Sequence, residues 1–208
     1  MKNSIVKTIV FGMVGLSLAI MGGCARSQPA TFYLLRPLVS TEKPQGITGQ
    51  EKGPLIVVGP IVFPKYLDRP SIVTRTQGNA LTLAQFDRWA EPLKDNFSRV
   101  LTENLGTLLG TERIAMFPWK SALGSTFQVT MEVFSFEGDS QGNVLLSVRW
   151  TLYGDEGKKE LLTKKSDLGE PTDASGYEAL VSAQSRAVGG LSKEIAEAIR
   201  ALGQGKTP

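Results

Sequence analysis

The chain has few of the side chains on which enzyme catalysis usually depends. Histidine is absent from its 208 residues and cysteine occurs once, which removes the commonest general base and nearly every zinc site. The remaining catalytic options are a serine or threonine activated by lysine, or a pair of carboxylates. The residues therefore indicate no catalytic apparatus and no cofactor, although a carboxylate pair that converges in a cleft stays open as an alternative.

The charged residues do not indicate a phosphate or nucleic-acid site. Asp139, Asp155 and Glu156 lie in predicted turns between strands, where solvated turn residues are the expected role. Gly154 to Gly157 lacks the Lys-Ser/Thr pair of a phosphate-binding loop. Lys plus Arg number 23 and Asp plus Glu number 20. A nucleic-acid face would require clustered lysines and arginines, so we expect no nucleic-acid partner.

The single cysteine, Cys24, follows a short basic opening and an apolar run from Thr8 to Met21. This order of basic, apolar and small residues is typical of a secretory signal peptide, which we place at residues 1–23. The run has about 14 residues, fewer than the ~20 that a membrane-spanning helix requires. In mid-chain, a lone cysteine would be interpreted as a small buried hydrophobe.

The sequence Gly22-Gly23-Cys24 resembles the lipobox of bacterial lipoproteins. The resemblance implies cleavage before Cys24, a diacylglycerol on its thiol and an acyl chain such as palmitate on its amine. Ala25 in place of aspartate implies sorting to the outer membrane, with the folded part facing the periplasm. Without Lys2 and Lys7 the mature chain carries 21 basic and 20 acidic residues, a net charge of +1.

Two clusters combine arginine with an aromatic residue. One is Tyr66-Leu67-Asp68-Arg69-Pro70, followed by Ser71 to Arg75, and the other is Arg88-Trp89-Ala90-Glu91-Pro92-Leu93. Arginine and aromatic side chains are enriched at protein interfaces, so the clusters predict a partner-binding patch. The candidate partner-binding residues are Tyr66, Asp68, Arg69, Arg75, Arg88 and Trp89.

The structural alternative assigns these residues to local support. Asp68 would form an ion pair with Arg69 or Arg75 and fix a turn. Glu91 would be a carboxylate favoured by the dipole in the first turn of a helix, and Trp89 would be a partly buried core residue. On residue physics alone the structural alternative is favoured over the interface.

The elements that would position these clusters follow from hydrophobic periodicity. Helical spacing predicts helices over Glu91 to Leu109 and Ser175 to Leu202, where Gly189-Gly190 would bend the second. Strands are predicted at Phe32 to Leu35, Leu55 to Phe63, Ser71 to Arg75, Ala80 to Leu83, Arg113 to Phe117, Phe127 to Val133, Val144 to Leu152 and Glu160 to Leu168. Residues 38–54 form a polar connection rich in glycine and proline. The predicted fold is a single α/β domain, with a mixed or largely antiparallel sheet packed against two long helices.

The order of these motifs resembles the ABC-type transport auxiliary lipoproteins, the family of paraquat-inducible protein C. The resemblance is carried by the two clusters, Phe117-Pro118-Trp119, Phe32 to Leu35, Phe136, Trp150 and Tyr177 to Val181. It implies a signal peptide at 1–23, an anchor and tether at 24–30, a family domain at 31–203 and a tail at 204–208.

The resemblance further implies a function in mammalian-cell-entry (MCE) systems, which move lipids between the inner and outer membranes. The chain would be a non-enzymatic outer-membrane lipoprotein that docks the periplasmic MCE-domain protein, alone or with further copies of itself. A lipoprotein that itself holds a lipid and passes it on is the alternative. That alternative requires an apolar pocket within the domain, whereas docking requires an exposed patch.

Overall fold

The computed structural model confirms a single mixed α/β domain and describes residues 28–38, 54–76, 78–118, 126–139 and 141–204. Cys24, residues 39–53 of the predicted connection and most of the tail lie outside the described residues. The elements are β1 (Thr31–Tyr33), β2 (Ile56–Val62), β3 (Ser71–Arg75), β4 (Leu81–Trp89), α1 (Leu93–Leu109), β5 (Ile114–Met116), β6 (Phe127–Gly138), β7 (Asn143–Gly154), β8 (Lys159–Pro171) and α2 (Tyr177–Gly203).

The sheet is built on the antiparallel meander of β6, β7 and β8. Along its other edge, β6 pairs in parallel with two strands. Strand β2 pairs with the first half of β6, and Thr74 of β3 pairs with Gly138 at the end of β6. From β6 the sheet therefore divides into two branches. One contains β2 and β5, and the other contains β3, β4 and β1.

Both helices pack on the sheet through the apolar stripes that the sequence predicts. Phe97, Val100, Leu101 and Leu105 of α1 are fully buried. The helix begins at Leu93 rather than Glu91, because Pro92 has an extended ψ of 127°. It ends at Gly110, whose φ of 63° allows its N–H to bond the Gly106 carbonyl, as glycine commonly does after a helix.

Helix α2 continues through Gly189 and Gly190. A Cβ added to Gly189 would lie 2.6 Å from Cδ2 of Leu38, and one on Gly190 would lie 3.2 Å from Cδ2 of Leu168. The two glycines therefore permit close packing against the N-terminal segment and β8. Among the described residues, neither helix is long and apolar enough to cross a bilayer.

Polar side chains on the helices hold the N-terminal segment in place. The backbone N–H groups of Leu35 and Leu38 each donate to the Oδ1 of an asparagine of α1, Asn96 and Asn104 respectively, at 2.7 Å. The Arg36 N–H donates to the Ser185 hydroxyl of α2 at 3.1 Å. Residues 35–38, which follow β1, are therefore fixed against the helices.

Candidate functional site

The two arginine and aromatic clusters lie next to each other in the fold. Ser71 is paired with Arg88 across β3 and β4, and the Trp89 N–H donates to the Pro70 carbonyl at 2.7 Å. Arg88 and Trp89 are the last residues of β4, so they precede α1 across a short turn. The sequence leads us to expect that all six candidate residues lie together beside α1. The structure brings Asp68 and Arg69 next to Trp89, but Tyr66 and Arg75 are bound elsewhere.

The meeting point is a surface cavity of about 300 Å³, here called the β4–α1 groove. It is lined by Asp68, Arg69, Pro70, Trp89, Ala90, Glu91 and Pro92. Nε of Arg69 is buried and has no hydrogen-bond partner among the described residues. A buried donor without a partner is costly, so a carbonyl or carboxylate oxygen that reached this N–H would remove that cost.

The other members of the two clusters differ in exposure. Arg88 and Asp68 are exposed. Trp89 is 5% exposed and belongs to the hydrophobic core, so it supports the groove from beneath. Within the described part of the chain no ion pair joins Asp68 to Arg69 or Arg75, and the Arg75 side chain is bound elsewhere.

Arg75 and Tyr66 converge on Glu137, which the sequence analysis did not single out. The Tyr66 hydroxyl donates to Oε2 of Glu137 at 2.8 Å, and Nε of Arg75 donates to Oε1 at 2.9 Å. Glu137 is 4% exposed. Burial and, to a smaller extent, the bond to Glu137 raise the pKa of Tyr66 above its ordinary value. The hydroxyl therefore stays protonated and can donate.

This arrangement, the Glu137 cluster, joins three segments of the chain and gives Tyr66 and Arg75 a structural role. The sequence signal that could have located Glu137 is a change in the alternation of apolar and polar residues along β6. Val129, Met131 and Val133 are buried at odd positions, but beyond the register shift between Val133 and Ser135 the fully buried residue is Phe136. Such a shift is typical of a β-bulge, which redirects the following side chains.

We predict that Glu137→Ala lowers the free energy of unfolding by about 2 kcal/mol. The substitution leaves the Phe136 N–H without its acceptor and leaves the Tyr66 hydroxyl only its longer bond to the Phe134 carbonyl. Chemical denaturation measures the change. Glu132→Ala on the same strand is the control, since both side chains of its pair with Arg149 are 53% exposed and such pairs contribute ~0 to 1 kcal/mol. Equal effects of the two substitutions would contradict the structural role of Glu137.

Asp139 organises the turn between β6 and β7. Its Oδ1 accepts the N–H groups of Gln141 and Asn143, both at 2.8 Å. Burial alone would raise the pKa of Asp139, but the bonds from Asn143, Gln141 and Gly142 outweigh it and lower the pKa below the ordinary 3.8. The carboxylate is therefore engaged by its own turn.

A depressed carboxyl pKa predicts a particular pH dependence. The stabilisation by Asp139 is present above pH 3.8, the ordinary pKa, and is lost as the pH falls through the lower pKa of the folded state. We expect the difference in thermal midpoint between the wild type and Asp139→Ala to be constant at neutral pH and to shrink below pH 3.8. A difference that persists unchanged into strong acid would refute this role.

The described residues give catalysis and metal binding little support. No group of three or more His, Cys, Asp or Glu side chains that could hold a metal ion occurs among them. Gly138 to Gly142 has the Gly-x-Ser-x-Gly spacing of a hydrolase nucleophile elbow. It joins two antiparallel strands, whereas the elbow joins a strand to a helix, and the chain contains no histidine.

Solved structures with a similar fold support the architecture. A crystal structure of an uncharacterised protein aligns with a TM-score of 0.67 and 22% identity, covering 83% of this chain and 99% of that one. A Xanthomonas campestris protein aligns with a TM-score of 0.64 and 16% identity, covering 84% and 97% of the two chains. At these identities the likeness concerns the fold alone.

Sequence comparison is more specific. The chain is 28% identical over 140 residues to the intermembrane transport lipoprotein PqiC of Escherichia coli strain K12, covering 67% of this chain and 72% of PqiC. The PqiC of Shigella flexneri matches to the same extent. Residues 33–196 match the model of the ABC-type transport auxiliary lipoprotein component, which describes transport lipoproteins and not an enzyme family. This chain therefore belongs to the ABC-type transport auxiliary lipoprotein family.

Proposed function

We propose that this chain is a non-enzymatic lipoprotein, anchored through Cys24 in the outer membrane, that docks the periplasmic MCE-domain protein of an ABC lipid transport system. The family and the similarity to proteins named intermembrane transport lipoproteins support the transport role. The lipobox-like sequence before Cys24 supports the anchor. The β4–α1 groove is the proposed docking surface.

The observation that carries the docking proposal is the convergence of both clusters on one groove with a buried, unpaired guanidinium N–H. Arg69 provides that donor, and the exposed Arg88 directly precedes Trp89, which lines the groove. Arginine is frequent among the residues that dominate binding energy at interfaces. The groove is thus suited to an acidic or carbonyl-rich segment of a partner.

Packing of the domain favours docking over the carrying of a lipid inside the fold. Phe97 lies between Phe63 and Phe136, with ring centroids 5.3 and 5.5 Å away. Trp150, Leu101 and Leu191 of the same core are also almost completely buried. Side chains therefore occupy the described space between the helices and the sheet, where an acyl chain would have to be accommodated.

Loss of Arg69 or Arg88 is expected to weaken docking without unfolding the domain. Truncation of a central interface arginine commonly costs 2 kcal/mol or more, roughly 30-fold in affinity. We therefore expect Arg69→Ala and Arg88→Ala to reduce affinity for the MCE-domain protein by at least about tenfold. Thermal midpoints should stay near that of the wild type, because neither side chain forms an ion pair within the described residues.

The measurement is binding of the purified variants to the immobilised MCE-domain protein, with a melting curve for each. Arg149→Ala is the matched control, since this exposed arginine of β7 lies away from the groove and pairs with Glu132 at the surface. Loss of folding with unchanged association per folded molecule would show that Arg69 and Arg88 are structural. A loss in the control as large as in the groove variants would also overturn the proposed site.

A further inference from the structure

The N-terminal segment exposes apolar side chains although its backbone is firmly held. Phe32 is 61% exposed and Leu34 is 43% exposed. Both lie in or beside β1, which pairs with β4, and the next residues are bound to Asn96, Asn104 and Ser185 of the helices. Their exposure is therefore a property of the folded domain and not of a loose chain end.

Phe32, Leu34 and Arg36 form what we call the N-terminal patch, which borders a cavity of about 410 Å³. Arg36 is exposed and has no ion-pair partner in the described part of the chain. Arg88 is paired with Phe32 in the parallel register and adds a second exposed cation. Of the nearby acidic residues, Glu178 lines the same cavity, and Asp87 accepts a bond from the Tyr33 hydroxyl at 2.8 Å.

The length of the tether limits how far this patch can be from a membrane. Phe32 is the eighth residue after Cys24, and eight steps of ~3.3 to 3.6 Å span at most ~29 Å when the chain is fully extended. Any contraction of the tether brings the patch closer to the bilayer surface.

We propose that the N-terminal patch contacts the phospholipid bilayer that holds the acyl chains of Cys24, with Phe32 and Leu34 among the headgroups and Arg36 beside the phosphates. This inference rests on the proposed lipidation of Cys24. Aromatic side chains are enriched at the membrane–water interface, and arginine can extend its guanidinium to the headgroups while its stem stays in apolar surroundings. The contact would orient the domain as well as tether it.

Fluorescence of the lipidated protein in phospholipid vesicles tests this contact. Because the thiol of Cys24 is acylated in the lipoprotein, an introduced cysteine would be its only free thiol. We would label Phe32→Cys, Leu34→Cys and Leu145→Cys with an environment-sensitive fluorophore. Leu145 is 47% exposed and lies on β7, remote from β1 in the sheet order, so it matches Leu34 in exposure.

We expect labels at positions 32 and 34 to shift to the blue and to be quenched at least twofold more than the label at 145 by spin-labelled phospholipids. Equal, water-like emission at all three positions on vesicle-bound protein would overturn the membrane contact while leaving the anchor intact. Protein that does not float with the vesicles would instead refute the anchor. A blue shift that lipids do not quench, and that grows with the protein-to-lipid ratio, would assign the patch to contact with a second copy and would also overturn the proposal.

Discussion

Replacement of Cys24 by serine is expected to abolish acylation and to remove the protein from the outer-membrane fraction. Serine has no thiol on which diacylglycerol can be placed, and signal cleavage at a lipobox depends on that modification. Each methylene buried in the bilayer contributes ~0.8 kcal/mol. Three acyl chains bury tens of methylenes, so the mature wild-type protein should be bound to the membrane almost permanently.

Membrane fractionation, together with the mass of the N-terminal peptide, measures this effect. A variant in which residues 1–24 are replaced by a cleavable signal sequence without cysteine is the control, and it should be a folded, soluble periplasmic protein. Recovery of a processed Cys24→Ser protein in the outer-membrane fraction would contradict the anchor.

Truncation of Phe97 to alanine is expected to cause the largest loss of stability among the substitutions considered. The side chain is fully buried in α1 and makes edge-on contacts with Phe63 and Phe136. Removal of a buried phenylalanine costs ~3 to 5 kcal/mol. Because domains are commonly stable by only ~5 to 15 kcal/mol, the variant should lose a large part of its stability.

Chemical denaturation of the soluble domain gives the change in free energy of unfolding. Phe117→Ala is the control, because Phe117 is 50% exposed and loses little buried surface on truncation. Leu101→Ala, also fully buried on α1, should cost ~2 to 5 kcal/mol. A Phe97→Ala protein as stable as the Phe117→Ala protein would show that α1 does not pack through this face.

Much of the fold follows from periodicity in the sequence. The helical stripes of α1 and α2 and the alternation in β6 and β7 predict the buried residues, because both patterns persist over many residues. The sequence predicts a strand only over Ala80 to Leu83, but β4 continues to Trp89. Pro92 stops the helix from extending back to Trp89, and partners distant in sequence complete β4.

The candidate site was only partly predictable for a related reason. The convergence of the clusters around Arg69 and Arg88 follows from their positions at the ends of neighbouring elements. Glu137 could not be assigned to Tyr66 and Arg75, because the three come together only through the parallel contact between β3 and β6. Long-range parallel pairing leaves no local pattern in the sequence.

The two proposed surfaces lie side by side, which gives the docking model a definite geometry. Ala90 lines both the β4–α1 groove and the cavity beside the N-terminal patch. If the patch rests on the bilayer, the groove is close to the membrane surface. A partner that reaches across the periplasm would then be received at the outer membrane itself.

Site-specific photo-crosslinking in cells tests the docking claim most directly. A photoreactive amino acid would replace Arg69, Arg88 or Arg149 in the full-length, lipidated protein, and the crosslinked products would be identified by mass spectrometry. We predict crosslinks to the MCE-domain protein from positions 69 and 88 and none from position 149. Crosslinks to that protein from position 149 alone, or only to other copies of this chain from positions 69 and 88, would contradict docking through the β4–α1 groove.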